Sequence, residues 1–334
     1  EPITWVARTT RELTARTNPV QGTRQQGNHM PIHWYPGHMN KASHEMKSVL
    51  KDVDLIIELL DARLPFSSQN PTIKELSTTK PCIKVLSKSD LADPALTRDW
   101  QVHFEQEESV KTLATNLDIK HKAESVLHLC QKLSPKTLRS TRTMIAMITG
   151  IPNVGKSTLI NALAGRKVAK TGNEPAITKG QQRIKINEEV TLLDTPGILW
   201  PKIHNENSGY RLAISGAIKD TAMNVEDVAF YLSGYLLKQY PESVNQLLDT
   251  KTLPNDDLAL LEALGRKRGC LRRGGQVDLE KVSSVLVNEF RTGKLGRISL
   301  ETPSMIPAEE AQVEQLKEEK QRRDELRKAK RKKK

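Results

Sequence analysis

The sequence predicts an α/β fold built on a parallel sheet and followed by a smaller all-helical region, an expectation that rests on three features. Short apolar runs alternate with stretches of helical periodicity between residues 41 and 200. One of those runs leads directly into the glycine-rich segment Gly150-Ile151-Pro152-Asn153-Val154-Gly155-Lys156-Ser157. Beyond about residue 206 no convincing strand pattern remains, and apolar residues recur at helical spacing.

In chain order, residues 41–51 read as a helix. Residues 53–60, VDLIIELL, read as a strand, since a near-continuous apolar run suits a strand covered on both faces. Pro65, Ser67, Ser68, Asn70 and Pro71 mark a loop. Residues 82–86, CIKVL, form a second strand that ends in Ser87-Lys88-Ser89-Asp90. A helix is expected after Pro94, a strand near 110–113, a helix near 122–133 and a strand over 144–149. Residues 181–187 and 190–193 read as a hairpin turning at 187–189. Helices follow over 210–218, 225–239, 256–264 and 277–290. From about 308 the chain is charged and helix-compatible, ends RKAKRKKK, and is expected to be mobile, because it has too little apolar surface to bury. The pattern divides the chain into an extension (1–29), an α/β domain (30–205), a helical domain (206–303) and a basic tail (304–334).

The 334 residues suffice for a nucleotide-sized domain and a smaller second one. No apolar run approaches the ~20 residues that span a bilayer, which argues against a transporter. Residues 1–29 are rich in Thr, Arg and Gln and lack the apolar core of a signal peptide, so they are expected to be disordered. Glu1 and Glu12 argue against a mitochondrial presequence, and Met30 reads as a start. Cys82, Cys130 and Cys270 fit neither a zinc spacing nor a disulfide framework, which points to a reducing compartment. The net charge of +12 favours polyanionic partners, although charge alone does not separate RNA from an anionic membrane or from mere solubility.

The segment 150–157 matches G-x-x-x-x-G-K-[ST] after a predicted strand and before a predicted helix, the context that a phosphate-binding loop requires. Its backbone amides can wrap a phosphate, with Asn153, Val154, Gly155 and Thr158 lining the nucleotide. Lys156 is expected to reach the β- and γ-phosphates and the Ser157 hydroxyl to bind Mg²⁺. In Leu192-Leu193-Asp194-Thr195-Pro196-Gly197, Asp194 can hold Mg²⁺ through water and the Gly197 amide can approach the γ-phosphate. Between these motifs, Thr178 of Glu174-Pro175-Ala176-Ile177-Thr178 is placed to close over Mg²⁺; a plain loop threonine is the alternative. Ser87-Lys88-Ser89-Asp90 resembles the guanine motif Asn/Thr-Lys-x-Asp, in which Asp90 accepts from guanine N1–H and the exocyclic amine while the Lys88 stem covers the base. Ser87 departs from that pattern, and a strand-end turn would also give this tetrapeptide. Residues 112–115 form a candidate second base-contacting loop.

The base motif precedes the phosphate loop, whereas ordinary GTPases run the other way. With Trp34-Tyr35-Pro36-Gly37-His38-Met39, Asp61-Ala62-Arg63-Leu64-Pro65 and the late stretch 265–303, this order resembles the circularly permuted GTPases. Within them it is similar to the ribosome biogenesis GTPase A group and its mitochondrial relatives, over residues 31 to 303. The resemblance implies a P-loop GTPase domain with circularly permuted motif order, then a small all-helical domain. It implies GTP and GDP as ligands, Mg²⁺ and K⁺ as cofactors, and the large ribosomal subunit and its rRNA as partners of a monomeric, cytoplasmic bacterial factor, with the mitochondrial matrix the less favoured location. Where Ras-like proteins place a water-orienting Gln, this chain has Ile198, so unassisted hydrolysis is expected near the ~10⁻⁴ s⁻¹ scale. The family points to His38 as the substitute, against a structural role in the Pro-Gly turn, and to Asn153 as a K⁺ ligand. It also implies RNA contacts for Arg266, Lys267, Arg268, Arg272 and Arg273. Two rivals stand beside this reading: a basic RNA-binding scaffold with a largely inactive nucleotide switch, and a GTPase of tRNA modification.

Overall fold

The apolar runs expected as strands associate into one six-stranded sheet in the order β3-β2-β1-β4-β6-β5. The computed structural model describes residues 34–71, 73–74, 80–116, 120–133, 143–169, 182–201, 203 and 205–332, with backbone alone at 38, 120–122, 324 and 326–332. The expectations for residues 1–29 and Met30 lie outside the described residues. Helix α1 (Gly37–Val49) precedes β1 (Leu55–Asp61), short helix α2 (Pro65–Ser68), β2 (Cys82–Ser87), α3 (Pro94–Phe104), β3 (Val110–Thr115), α4 (Lys120–Leu133), β4 (Met144–Gly150) and α5 (Lys156–Ala164). The hairpin β5 (Gln182–Lys185) and β6 (Val190–Asp194) closes the sheet. All pairs are parallel except β5 with β6.

Every residue of β1 and β2 is buried, as expected for strands sandwiched between helices. Their buried charges meet across the register. Glu58 pairs with Lys84, Nζ to Oε2 at 2.8 Å, with both side chains almost fully enclosed. The segment 65–71 departs from the expected loop, because Pro65 starts a helical turn whose Phe66 and Ser67 amides donate to the distant carboxylate of Glu301.

Beyond β6 the regular elements are helical: α6 (Glu206–Ser215), α7 (Val225–Gln239), α8 (Pro241–Leu248), α9 (Asp257–Lys267), α10 (Leu279–Arg291) and α11 (Ile306–Lys332). Asn205, Asn224, Asp256 and Asp278 cap four of them through side-chain oxygens. The buried apolar residues of sheet and helices form one continuous core. Residues 298–301 fasten the two together: the Ile298 amide donates to Leu91 O at 3.1 Å, the Leu300 amide to Arg63 O at 2.7 Å, and Trp100 Nε1 to Glu301 O at 3.3 Å. The charged, helix-compatible stretch is helical through Lys332, and its first turn is built into the fold, where the Arg211 guanidinium grips Glu309 at 2.6 and 2.9 Å. All three cysteines are buried and free. Among the described residues no helix is long and apolar enough to cross a membrane.

Candidate functional site

Strands β2 and β4 are both parallel neighbours of β1, so their carboxyl ends open on one edge of the sheet, two strand spacings or about 10 Å apart. The connections run outward from β1 to β2 to β3 and then return across β1 to β4. Open α/β sheets bind ligands in the crevice created by such a reversal. Both expected ligand-gripping segments leave these two strand ends.

Between β4 and α5 the loop bends sharply, with Gly155 in the left-handed region at φ 99°. A side chain there would strain the backbone, and the turn lets the first amides of α5 face the loop and attract an anion. Lys156 and Asp194, the ends of α5 and β6 that face each other, lie 2.8 Å apart, Nζ to Oδ1, with side chains 6% and 1% exposed. Burial raises the Asp194 pKa, and Lys156 opposes that rise without cancelling it. The segment after Asp194 presses on the loop: a Cβ on Gly197 would come within 3.0 Å of Pro152 Cα, so any larger residue would require the loop backbone to give way by a few tenths of an ångström. The Ile198 amide donates to Gly150 O at 3.3 Å, and its side chain is buried and aliphatic, with no group that could orient a water.

Ser157 lies in the first turn of α5, after the loop that leaves β4, and Asp194 ends the adjacent strand β6. Both are hard oxygen donors and fit Mg²⁺. Asn153 also adopts positive φ, 59°, and its side-chain amide donates to Gly216 O at 2.7 Å, tying the loop to the end of α6. Thr178 lies outside the described residues, as does the side chain of His38, whose backbone is in the first turn of α1.

At the other end of the crevice Ser87 Oγ lies 2.7 Å from Val154 O and 3.0 Å from Leu60 O. Its one proton serves one carbonyl at a time, but either way the strand end carrying the base motif touches the phosphate loop. Lys88 turns at φ 55° and directs Nζ to Asp61 Oδ2 at 3.1 Å. Asp90 is exposed at the tip of the turn. The candidate second base loop, residues 112–115, lies wholly within β3. Thr112 is occupied by Glu105, and only Thr115 stands at the crevice end, where its carbonyl accepts the Ser89 amide at 3.4 Å. Asp61 and Arg63, assigned no role from sequence, sit directly beneath Lys88; their signal was the Asp-Ala-Arg segment, whose partners lie far along the chain.

The basic cluster surrounds a tight turn, in which the Arg272 amide donates to Gln276 O at 2.8 Å. Three of its cations are ion-paired: Arg266 with Glu262 at 3.0 Å, Arg268 with Glu289 at 2.8 Å and Arg272 with Asp278 at 3.2 Å. Lys267 and Arg273 are exposed and have no acidic partner among the described residues.

A sequence profile described as 50S ribosome-binding GTPase matches residues 145–258. The chain is 43% identical over 297 residues to Ribosome biogenesis GTPase A of Bacillus cereus, covering 86% of this chain and 100% of that protein. It is 34% identical over 316 residues to Mitochondrial ribosome-associated GTPase 1 of Mus musculus, covering 87% and 94%. Among solved structures it is similar to GNP-bound YlqF from T. maritima, with a TM-score of 0.55 and 27% identity over 79% of this chain and 98% of that one. The GDP-bound form of YlqF gives a TM-score of 0.57, also at 27% identity, over 78% and 99%.

Proposed function

The chain belongs to the ribosome biogenesis GTPase A family, and from that premise we propose that it is a circularly permuted GTPase that helps to assemble the large ribosomal subunit, its slow hydrolysis stimulated by the particle. The observation that supports this best is the contact of Ser87 with Val154, which joins the base motif and the phosphate loop in one crevice.

In this reading Asp90 and the Lys88 stem receive guanine, and adenine, offering no matching donors, would leave the carboxylate unpaired. Ser87, Asn153, Val154, Gly155 and Thr158 complete the lining. When nucleotide enters, Lys156 exchanges Asp194 for the β- and γ-phosphates. Mg²⁺ would neutralise phosphate charge when bound, and Ser157, Thr178 and Asp194 are the residues that would hold it. If K⁺ binds, the Asn153 side-chain carbonyl would offer it an oxygen. The Gly197 amide faces the γ-phosphate. Because Ile198 is aliphatic and has no hydrogen-bonding group, the attacking water would be oriented from elsewhere, a role we assign to His38. Residues 30–205 form the GTPase domain, 206–303 the ribosome-binding helical domain with Arg266, Lys267, Arg268, Arg272 and Arg273 on its RNA face, and 304–334 a basic tail. The protein acts as a monomer in the bacterial cytoplasm.

The test is turnover of GTP and of ATP, with and without purified large subunits, in KCl and in NaCl. GTP alone should turn over, faster with the particle and faster in KCl. Equal turnover of ATP overturns the guanine reading, an unresponsive rate overturns the ribosomal one, and equal rates in the two salts remove K⁺.

A further inference from the structure

Asp61 ends β1 and Arg63 follows two residues later at the base end of the crevice, and both side chains are 1% exposed. Arg63 forks onto both carboxylate oxygens, Nε to Oδ1 at 2.9 Å and Nη2 to Oδ2 at 2.8 Å, and its amide donates to Oδ1 at 3.1 Å. Lys88 Nζ shares Oδ2 at 3.1 Å. On its other side the guanidinium lies 4.6 Å from the centre of the Phe290 ring and donates through Nη1 to Phe290 O at 3.2 Å. A buried ion pair adds little net stability over an apolar replacement of the same shape. What this one supplies is position. Held by both oxygens, the Asp61 carboxylate cannot rotate, and it fixes the ammonium of a residue whose backbone is already in the left-handed region.

We propose that Asp61 and Arg63 are positioning residues for base recognition. The fork holds the Asp61 carboxylate, the carboxylate holds Lys88 so that its stem lies along the base, and Phe290 is the backstop through which the seating of α10 reaches this lysine. The inference rests on the guanine reading of residues 87–90.

A double-mutant cycle in the full chain tests it, with affinities for fluorescent GDP, GTP and ADP analogues as the readout. Lys88→Met and Asp61→Asn should each weaken GDP by about tenfold or more, the scale of a lost hydrogen bond to a charged group. The GTP analogue should weaken by the same factor, because the loss is at the base end. The double variant should bind no worse than Lys88→Met alone, since the carboxylate acts through the lysine. Phe290→Leu leaves all three charged groups in place and should speed GDP dissociation in the parent but not in the Lys88→Met background; this arm decides the matter if Asp61→Asn does not fold. Additive losses, or an Asp61→Asn protein that binds GDP as the parent does, overturn the positioning role alone. A Lys88→Met protein with unchanged GDP and ADP binding overturns the guanine reading beneath it.

Discussion

Glu301 shows what one buried side chain does for this chain. It is fully enclosed, accepts the amides of Phe66 and Ser67, and lies 3.4 Å from the Arg211 guanidinium. Burial is the largest influence on its carboxyl and pushes the pKa up to about 7, against Arg211 and Ser67, which favour the charged form. In the unfolded chain the group titrates near its ordinary 4.5. Between those values the folded protein keeps a proton that the unfolded chain releases, so stability falls as pH rises through that window and levels off above it. Glu301→Gln should flatten the slope when urea unfolding is compared at about pH 5 and about pH 8. A slope that survives the substitution assigns the response to another group. Other residues at this scale were legible in the sequence for a chemical reason: phosphate and metal chemistry demands Lys, Ser and Asp at fixed offsets from a strand. Arg63 was not, because the carbonyl it reaches on Phe290 lies 227 positions away.

At the scale of elements, the paired strands β1 and β2 concentrate the sheet's risk. Glu58→Ala leaves Lys84 charged and alone in the centre of the sheet, a loss expected to cost about 3–5 kcal/mol by urea unfolding. Replacing both residues by Met should cost far less, and a double variant as unstable as the single one would show that the pair contributes more than mutual neutralisation. The strands were readable because burial on both faces leaves a continuous apolar run. Helix α2 was not, since Pro, Ser and Asn are also turn formers and the acid that receives its amides comes from the far end of the chain. The helical character of the charge-rich α11 was legible in its composition, but its anchor was not, because composition does not reveal that Glu309 has a buried arginine to meet it.

Across the whole molecule, the end of α6 is gripped from two directions. Asn153 donates to Gly216 O at 2.7 Å, and Arg291 of α10 donates to the carbonyls of Ala213 and Ile214 at 2.9 and 3.0 Å. The phosphate loop and the helices beyond it are thus two bonds apart. Charge is distributed less simply than the net +12 suggests, because three of five cluster cations already face acids. If the cluster meets rRNA, Lys267 and Arg273, which have no acidic partner among the described residues, provide most of the phosphate contacts. Changing both to Gln should lower the slope of log affinity for an rRNA fragment against log KCl concentration by about two. An unaltered slope places the RNA face elsewhere. Helix α11 adds a matter of reach. Fixed at Glu309 in its first turn, its backbone continues as helix to Lys332, a boom about 35 Å long at 1.5 Å per residue. That span exceeds by severalfold the ~8 Å over which ions screen a charge at physiological salt. At that separation, charge at the far end of the helix would be screened from the Arg211–Glu309 anchor, so changes of charge at the tip should leave the anchored turn undisturbed.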